Sequence, residues 1–185
     1  VQDKPSGIAQ ALGLAEKFAG GDDVCVILGD NLFFTDIAQA IRDFRGGAHL
    51  FLKQLPDCQR FGVATVEGDR VTGIEEKPLN PKSNLAVTGC YLYDARCFSV
   101  IHHLKPSARG ELEITDVSGW YVHQNEARAT VLDDEWIDAG TFESLFRAAE
   151  LVRKKQLSVA AGEATKRNVE KTQPSAPKKK LIAAR

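Results

Sequence analysis

Two aspartates stand at positions where they could do chemistry, each following a short apolar stretch. Asp30 follows the apolar residues 24–28 and Gly29, and Asp138 follows Trp136 and Ile137. An unbroken apolar run is typical of a strand that is buried on both faces and central in a parallel sheet, and ligands bind beyond the carboxyl ends of such strands. A carboxylate there needs a partner, which can be a metal, a hydroxyl or a backbone N–H group.

The two aspartates could converge on one hard cation. Mg²⁺ is commonly held by one or two carboxylates together with substrate phosphates. The alternative is that Asp30 and Asp138 only cap the turns that follow them, as Asp often does. The spacing of the residues alone does not decide between a metal site and two turn caps.

A second candidate site lies in the segment 75–78, at the end of a predicted strand. Pro78 favours an extended conformation for Lys77, which would direct its ammonium group off the strand end. Together with Glu76, this lysine could hold a sugar hydroxyl and a phosphate. The alternative is a surface ion pair worth less than about 1 kcal/mol.

The loop between Gln2 and Gly7 precedes a predicted helix, and backbone N–H groups at a helix N-terminus can face a ligand. The side-chain amide of a Gln can pair with the edge of a nucleobase. This signal is weak by itself.

Composition limits the classes of function. From Val152 onward, ten Lys and Arg residues against two Glu give a local net charge of +8, so the rest of the chain carries −9. An acidic core argues against nucleic acid as the main partner. The chain has no run of about 20 apolar residues that could cross a membrane. Its four cysteines lack zinc spacing. Two of them lie inside apolar strand patterns, which suits reduced, buried thiols in a cytoplasmic protein.

The elements that must position these residues alternate at first between helix and strand. Apolar spacing predicts a helix over 8–19, a strand over 24–28, a helix capped by Thr35 and a strand over 49–55, the order of a doubly wound α/β sheet. Two further β runs joined at Gly68-Asp69 predict a hairpin.

The second half of the chain is predicted in the same way. We expect a strand over 85–93, a helix over 95–104, partial helix over 111–124, a strand over 129–132 and a loop over 136–140. Thr141 then caps a helix, whose apolar face is formed by Phe142, Leu145, Phe146, Ala149 and Val152. We predict one domain over residues 1–157 and a disordered basic tail over 158–185.

Several motifs, in chain order, resemble those of the sugar-1-phosphate nucleotidyltransferases. They are Gln2 with Gly7-Ile8-Ala9-Gln10-Ala11, Leu28-Gly29-Asp30-Asn31, Arg60-Phe61-Gly62-Val63, Glu75-Glu76-Lys77-Pro78, Pro81-Lys82-Ser83-Asn84, Ala86-Val87-Thr88-Gly89-Cys90-Tyr91, Arg109-Gly110-Glu111-Leu112-Glu113-Ile114-Thr115-Asp116 and Trp136-Ile137-Asp138-Ala139-Gly140-Thr141. The resemblance covers residues 1 to 152 and is nearest to the thymidylyl-transferring branch. It implies a Rossmann-like nucleotidyltransferase fold, doubly wound, with a mostly parallel mixed sheet.

The resemblance also implies a reaction, in which glucose 1-phosphate attacks dTTP to give dTDP-glucose and pyrophosphate. It implies that the dTDP-glucose is used to make rhamnose or another deoxysugar. It implies that Asp30 and Asp138 hold Mg²⁺. It assigns the remaining roles as follows: Gln2 and Gly7 to the thymine, Gly62, Glu76, Val87, Thr88 and Gly89 to the glucose, and Lys77 and Arg109 to its phosphate. A homo-oligomer is implied for the full-length protein. The alternatives are transfer of another nucleotide from UTP or CTP, and a non-catalytic module that binds nucleotide sugars.

The chain departs from the family pattern at both ends. The family begins with a strand and a glycine-rich loop carrying an Arg, with a Lys further on, and these groups grip the triphosphate. The chain contains no Met and begins at Val1, so we expect a fragment that lacks its first strands, is inactive alone and leaves one flank of strand 24–28 uncovered. Loss of one such charge-stabilising donor costs on the order of 10²–10³ in rate. The basic tail also stands where the long bacterial form carries a regulatory segment, so the short form is the nearer likeness.

Overall fold

The fold is described by a computed structural model that covers the backbone of residues 2–172 and the side chains as far as residue 157. The chain divides into two compact units, Val1–Gly140 and Thr141–Arg185. The predicted domain over residues 1–157 spans this division, and its boundary stays a prediction. No helix among the described residues is long and apolar enough to cross a membrane.

Most strands of the first unit lie in one six-stranded sheet with the order β1-β6-β3-β7-β5-β4, and β4 also pairs with β6. Its strands are β1 (Val24–Ile27), β3 (Ala48–Gln54), β4 (Gly62–Glu67), β5 (Arg70–Glu76), β6 (Leu85–Tyr93) and β7 (Ala127–Val131). A separate two-stranded sheet pairs β2 (Asn31–Phe33) with β8 (Trp136–Asp138).

The large sheet is mixed, as predicted for this α/β fold. Strands β1, β3, β4 and β7 run in one direction, and β5 and β6 run in the other. Among the described neighbours, β3 and β7 pair in parallel and the other pairs are antiparallel, because each of those pairs contains β5 or β6. The predicted hairpin is confirmed by the antiparallel pairing of β4 with β5.

Strand β1 lies at an edge of the sheet, so its predicted central position is wrong. Its residues alternate between half-buried and exposed, and Ile27 is 52% exposed. An apolar run looks the same in sequence at the centre and at the edge of a sheet. The outer side of β1 has no strand partner in the described part of the chain, which agrees with the expectation of an uncovered flank.

The helices of the first unit are α1 (Ile8–Gly13), α2 (Glu16–Ala19), α3 (Ala38–Asp43), α4 (Arg96–His103) and α5 (Ile114–His123). The single helix predicted over 8–19 is therefore two shorter helices. The cap predicted for α3 is also wrong: the carboxylate of Asp36, rather than Thr35, accepts a hydrogen bond from the Ala38 N–H, at 2.8 Å.

The core lies on both faces of the sheet. Leu50 and Leu52 of β3 join the larger cluster, which includes residues of α1, α4 and α5, whereas Phe51 joins the opposite cluster with Trp136 of β8. This alternation follows from the two-residue period of a strand. Phe33 of β2 and Trp136 of β8 belong to the Phe51 cluster, so the small sheet packs against that face of the large sheet.

The second unit contains α6 (Phe142–Thr172). The predicted cap is confirmed, because Thr141 Oγ1 accepts a hydrogen bond from the Ser144 N–H at 3.1 Å. Phe142, Leu145 and Phe146 of its predicted apolar face are exposed. The helix continues past residue 157, where we predict the tail to begin, and residues 173–185 of that tail lie outside the described residues.

Candidate active site

Asp30 and Asp138 are brought together by the short ladder between β2 and β8. Asn31 stands opposite Asp138 in this ladder, and the Ala139 N–H donates to the Asp30 carbonyl oxygen at 2.8 Å. A Cβ atom added to Gly140 would lie 3.1 Å from Asp138 Oδ1 and 3.6 Å from Asp30 Oδ2. The two carboxylates therefore lie close together beside Gly140. The prediction of a loop over 136–140 is wrong for residues 136–138, which form β8.

Both aspartates also make the local contacts that the turn-cap alternative requires. Asp138 Oδ1 accepts a hydrogen bond from the Gly140 N–H at 3.1 Å, and Asp30 Oδ1 accepts one from Asn31 Nδ2 at 2.8 Å. Each carboxylate uses one oxygen in these bonds. The other oxygen of each accepts no hydrogen bond from the part of the chain that the structure describes and is available for a further ligand.

One cavity of about 210 Å³ joins the aspartate pair to most of the other predicted site residues. Its lining includes Asp30, Gly62, Glu76, Lys77, Val87, Gly89, Arg109 and Asp138. Three predicted residues, Gln2, Gly7 and Thr88, are not part of that lining. Thr88 is fully buried, and its hydroxyl donates to the Phe51 carbonyl oxygen at 2.8 Å, so its side chain has a structural partner.

Glu76 lies at the end of β5 with both carboxylate oxygens engaged. Arg109 Nη1 donates to Oε1 and Thr115 Oγ1 donates to Oε2, each at 3.1 Å. Burial raises the pKa of Glu76 above its ordinary value, against the lowering effect of the Thr115 hydrogen bond. A Cβ added to Gly62 would lie 2.7 Å from Thr115 Cγ2, so a glycine is needed where β4 passes this group.

Arg109 lies among carboxylates. Besides Glu76, it contacts Glu111 at 3.0 Å and Glu113 at 3.5 Å. The Arg109 side chain is 42% exposed, and ion pairs at such positions are weak and exchangeable. A phosphate entering the cavity could therefore compete for this guanidinium.

Lys77 has a left-handed backbone, with φ of 41°, so the extended conformation predicted from Pro78 is wrong. Its N–H donates to the Phe61 carbonyl oxygen at 3.1 Å, which continues the β4–β5 ladder by one residue before the chain turns. A positive φ is costly for a residue with a side chain, and such strain clusters at functional sites. The exposed Lys77 ammonium forms no ion pair within the described part of the chain.

Gln2 and Gly7 serve contacts inside the chain. The Gln2 side-chain amide donates to the Gly7 carbonyl oxygen at 3.1 Å and to the Gln10 side chain. Gly7 has φ of 98°, and a Cβ there would lie 2.2 Å from the Leu112 carbonyl oxygen. Close packing of the chain against Leu112 thus explains why residue 7 is a glycine. The contact of Gln2 and Gly7 with a nucleobase stays a prediction.

Among the lining residues to which the sequence assigned no role are Asn31 and Thr115. Thr115 contacts Glu76 because α5 packs against β5, and residue spacing contains no signal for that contact. Asn31 directly follows Asp30, and its position in the shared motif is the one signal that could have identified it.

A family model described as Nucleotidyl transferase matches residues 1–155. The chain belongs to this family of nucleotidyl transferases. Among curated proteins, it is 44% identical over 160 residues to the glucose-1-phosphate thymidylyltransferase of Neisseria meningitidis serogroup A, covering 83% of this chain and 56% of the relative. The protein of that name from Mycobacterium tuberculosis (strain H37Rv) is 38% identical over 158 residues, with 82% and 55% covered.

Solved structures agree with the family. A Bacillus anthracis protein assigned as a glucose-1-phosphate thymidylyltransferase, solved with sucrose, superposes with a TM-score of 0.77 at 51% identity, covering 83% of this chain and 63% of the other. A UDP-glucose pyrophosphorylase complexed with UDP-glucose superposes with a TM-score of 0.75 at 22% identity, which shows the fold alone. The predicted Rossmann-like nucleotidyltransferase fold is confirmed. The chain spans a little over half the length of the curated relatives.

Proposed function

We propose that this chain belongs to an enzyme that transfers a thymidylyl group from dTTP to glucose 1-phosphate, giving dTDP-glucose and pyrophosphate. The observation that carries the proposal is the single cavity that joins the Asp30–Asp138 pair to Glu76, Lys77 and Arg109. The names of the curated relatives support the same assignment.

The Glu76 end of the cavity is suited to a sugar phosphate. The Glu76 carboxylate can accept hydrogen bonds from sugar hydroxyls, beside the backbone of Gly62. The cations of Lys77 and Arg109 can bind the phosphate, for which Arg offers a bidentate fork and Lys a point charge. A volume of about 210 Å³ is below the roughly 300–1,000 Å³ of sites for drug-sized ligands, which fits one hexose phosphate.

The aspartate end is suited to a divalent cation on the nucleotide. Among the described residues, no group of three or more His, Cys, Asp or Glu side chains could hold a metal by itself. Two neighbouring carboxylates fit Mg²⁺, which takes one or two carboxylates and completes its shell with water and phosphate oxygens. When bound there, Mg²⁺ would neutralise charge on the phosphates.

The two ends together imply an order of groups along the cavity. Glu76 orients the hexose, Lys77 and Arg109 hold its phosphate, and Asp30 and Asp138 mark where the phosphates of the nucleotide meet it. We propose further that the chain of 185 residues binds glucose 1-phosphate but does not transfer the nucleotide by itself. A homo-oligomer and a cytoplasmic location stay predictions.

The test is binding of glucose 1-phosphate to the 185-residue chain, measured by calorimetry. Glu76→Ala and Lys77→Ala are expected to weaken binding by about tenfold or more, since hydrogen bonds to charged groups contribute about 1.5–3 kcal/mol. Glu75→Ala and Lys82→Ala are matched controls, because these two residues pair with each other away from the cavity lining. Equal losses in controls and site variants would contradict the proposal.

The nucleotide is tested separately, by incubating the chain with glucose 1-phosphate, Mg²⁺ and dTTP, UTP or CTP, followed by product analysis. We expect no product from the chain alone. Product from dTTP would contradict the proposed inactivity and support the thymidylyl assignment, whereas product from UTP or CTP in preference to dTTP would overturn that assignment.

A further inference from the structure

Asn31, the first residue of β2, is held from two other strands and from its neighbour Asp30. Its Oδ1 accepts hydrogen bonds from the Gly89 N–H at 2.9 Å and from Trp136 Nε1 at 2.7 Å. Its Nδ2 donates to Asp30 Oδ1 at 2.8 Å. The orientation of the amide follows from these partners, because a flipped amide would turn its NH₂ group toward two donors.

The amide also has little room to move. A Cβ atom on Gly89 would lie 2.6 to 2.7 Å from the Cγ, Oδ1 and Nδ2 atoms of Asn31, so the backbone of β6 packs directly against the amide. On the other side, Trp136 is buried and packs edge-on against Phe61 with ring centroids 5.2 Å apart. Rotation of the Asn31 side chain would therefore require movement of β6 or β8.

This fixed amide determines which oxygen of Asp30 is free. Oδ1 of Asp30 is held by Asn31, whereas Oδ2 lies beside Gly140, where Asp138 Oδ1 also lies. Asp30 is itself exposed at the surface, and an exposed side chain without such a bond populates several rotamers.

We propose that Asn31 is a positioning residue, which holds the Asp30 carboxylate in the one rotamer that places its Oδ2 beside Asp138. The inference rests on the proposed function, in which these two carboxylates share a divalent cation. Residues that orient metal-ligating carboxylates through hydrogen bonds typically contribute about 10- to 100-fold to metal affinity. The two bonds at Oδ1 of Asn31 stabilise the fold, and the third, from Nδ2, is the one that acts on the site.

The first measurement is the side-chain rotamer of Asp30 in the metal-free chain, from three-bond NMR couplings across χ1. We expect one rotamer in the wild-type chain and averaging in Asn31→Ala. Trp136→Phe is the matched control, because it removes one donor to Oδ1 and leaves the bond to Asp30, so Asp30 should stay in one rotamer. An averaged χ1 in the wild-type chain would overturn the proposal without any variant, including the case where Asn31→Ala does not fold.

The second measurement is Mn²⁺ binding to the chain, followed by electron paramagnetic resonance. We expect binding that is lost in Asp30→Asn and Asp138→Asn, about 10- to 100-fold weaker in Asn31→Ala and near wild type in Trp136→Phe. Wild-type affinity in a folded Asn31→Ala would overturn the positioning role while the metal site stands. A wild-type Mn²⁺ affinity in both Asp30→Asn and Asp138→Asn would instead reject the metal site. The positioning of Asp30 by Asn31 is then decided by the rotamer measurement.

Discussion

The two ends of the candidate active site are held in different ways. At one end, Asp30 and Asp138 are aligned by a backbone ladder and by Asn31, whose three partners leave it little freedom. At the other end, Glu76 and Arg109 are held by side-chain contacts, and the Arg109 side chain is 42% exposed. The first end is built before a ligand arrives, and the second can exchange its partners when one binds.

This difference fits the ligands that we propose. A small divalent cation demands fixed oxygen positions, because Mg²⁺ tolerates little departure from octahedral geometry. A sugar phosphate has many hydroxyls and a charged group, so a set of exchangeable ion pairs can adapt to it. The comparison predicts that backbone changes damage the aspartate end, whereas single side-chain changes alter binding at the Glu76 end and leave the fold intact.

The largest effect is expected from Gly89→Ala at the aspartate end. The added Cβ would lie 2.6 Å from the Asn31 amide, which cannot retreat from its partners. Forcing extra atoms into a packed site costs typically about 1–3 kcal/mol. Urea unfolding should therefore show a lower free energy of unfolding, and Mn²⁺ binding should be lost.

Gly119→Ala is the control for that substitution. A Cβ there would meet Ile74 Cγ2 at an ordinary 3.7 Å, and the residue lies within α5. Since Ala in a helix is more stable than Gly by roughly 0.5–1 kcal/mol, this variant should match or exceed the wild-type stability. A Gly89→Ala variant as stable as Gly119→Ala would show that the aspartate end is adaptable after all.

At the opposite end, Arg109→Ala should weaken glucose 1-phosphate binding by about tenfold, equivalent to about 1.4 kcal/mol. Its effect on the free energy of unfolding should stay below about 1 kcal/mol, because exposed ion pairs contribute little. Calorimetry and urea unfolding measure the two quantities. Arg70→Ala, which removes a comparably exposed arginine paired with Glu67, should affect neither strongly.

A stability loss from Arg109→Ala well above that of Arg70→Ala would contradict the comparison. It would mean that the carboxylates around Arg109 depend on it for folding, and that this end is also built in advance.

A smaller effect concerns the pH dependence of stability at Glu76. Because burial raises the pKa of Glu76 in the folded state, the folded protein binds this proton more tightly than the unfolded chain. Stability from this group is present below the ordinary pKa of 4.5 and is lost as pH rises through the raised value. Glu76→Gln should abolish that loss. The urea concentration at the unfolding midpoint should then change less between acid and neutral pH than it does in the wild-type chain.

The matched control is Glu75→Gln, which changes the adjacent carboxyl that pairs with Lys82. The free energy of unfolding of this variant should fall with rising pH as it does in the wild-type chain. If Glu76→Gln shows the same fall in stability as the wild type, the burial of Glu76 is not the cause.

Sequence reasoning predicts the two ends unequally. Apolar periodicity and turn chemistry locate the β4–β5 hairpin, and β6, α4 and α5 form near their predicted bounds. Periodicity cannot detect the three-residue ladder of β2 and β8, which is what aligns the aspartates. It also cannot tell an edge strand from a central one, so the uncovered flank of β1 is predicted by the family resemblance and not by the residue pattern.

The left-handed backbone of Lys77 marks a different limit. The preference of a residue before proline is a local tendency, and the tertiary hydrogen bond to Phe61 overrides it. The convergence of Glu76, Thr115 and Arg109 likewise depends on the packing of α5 and its preceding loop against β5. Contacts between elements distant in sequence therefore account for most of what the residue pattern does not contain.

The smallest expected effect concerns the reactivity of Cys25, which tests whether the edge strand β1, leading into Asp30, is exposed to solvent. Cys25 is exposed, whereas Cys58, Cys90 and Cys97 are buried. A hydrogen bond from Cys90 outweighs the effect of burial and lowers the pKa of the Cys25 thiol to about 7. Alkylation by iodoacetamide, followed by mass spectrometry, should therefore modify Cys25 first, with a rate that rises with pH around a midpoint near this value.

Replacement of Cys90 by Ala removes the donor that stabilises the Cys25 thiolate. The midpoint of alkylation should then move upward, toward the ordinary thiol pKa of 9.0, while Cys97→Ala should leave it unchanged. A Cys25 that reacts as slowly as the buried thiols would show that the outer side of β1 is covered in solution. In that case the strand leading into Asp30 has a partner, and the aspartate end is held from that side as well.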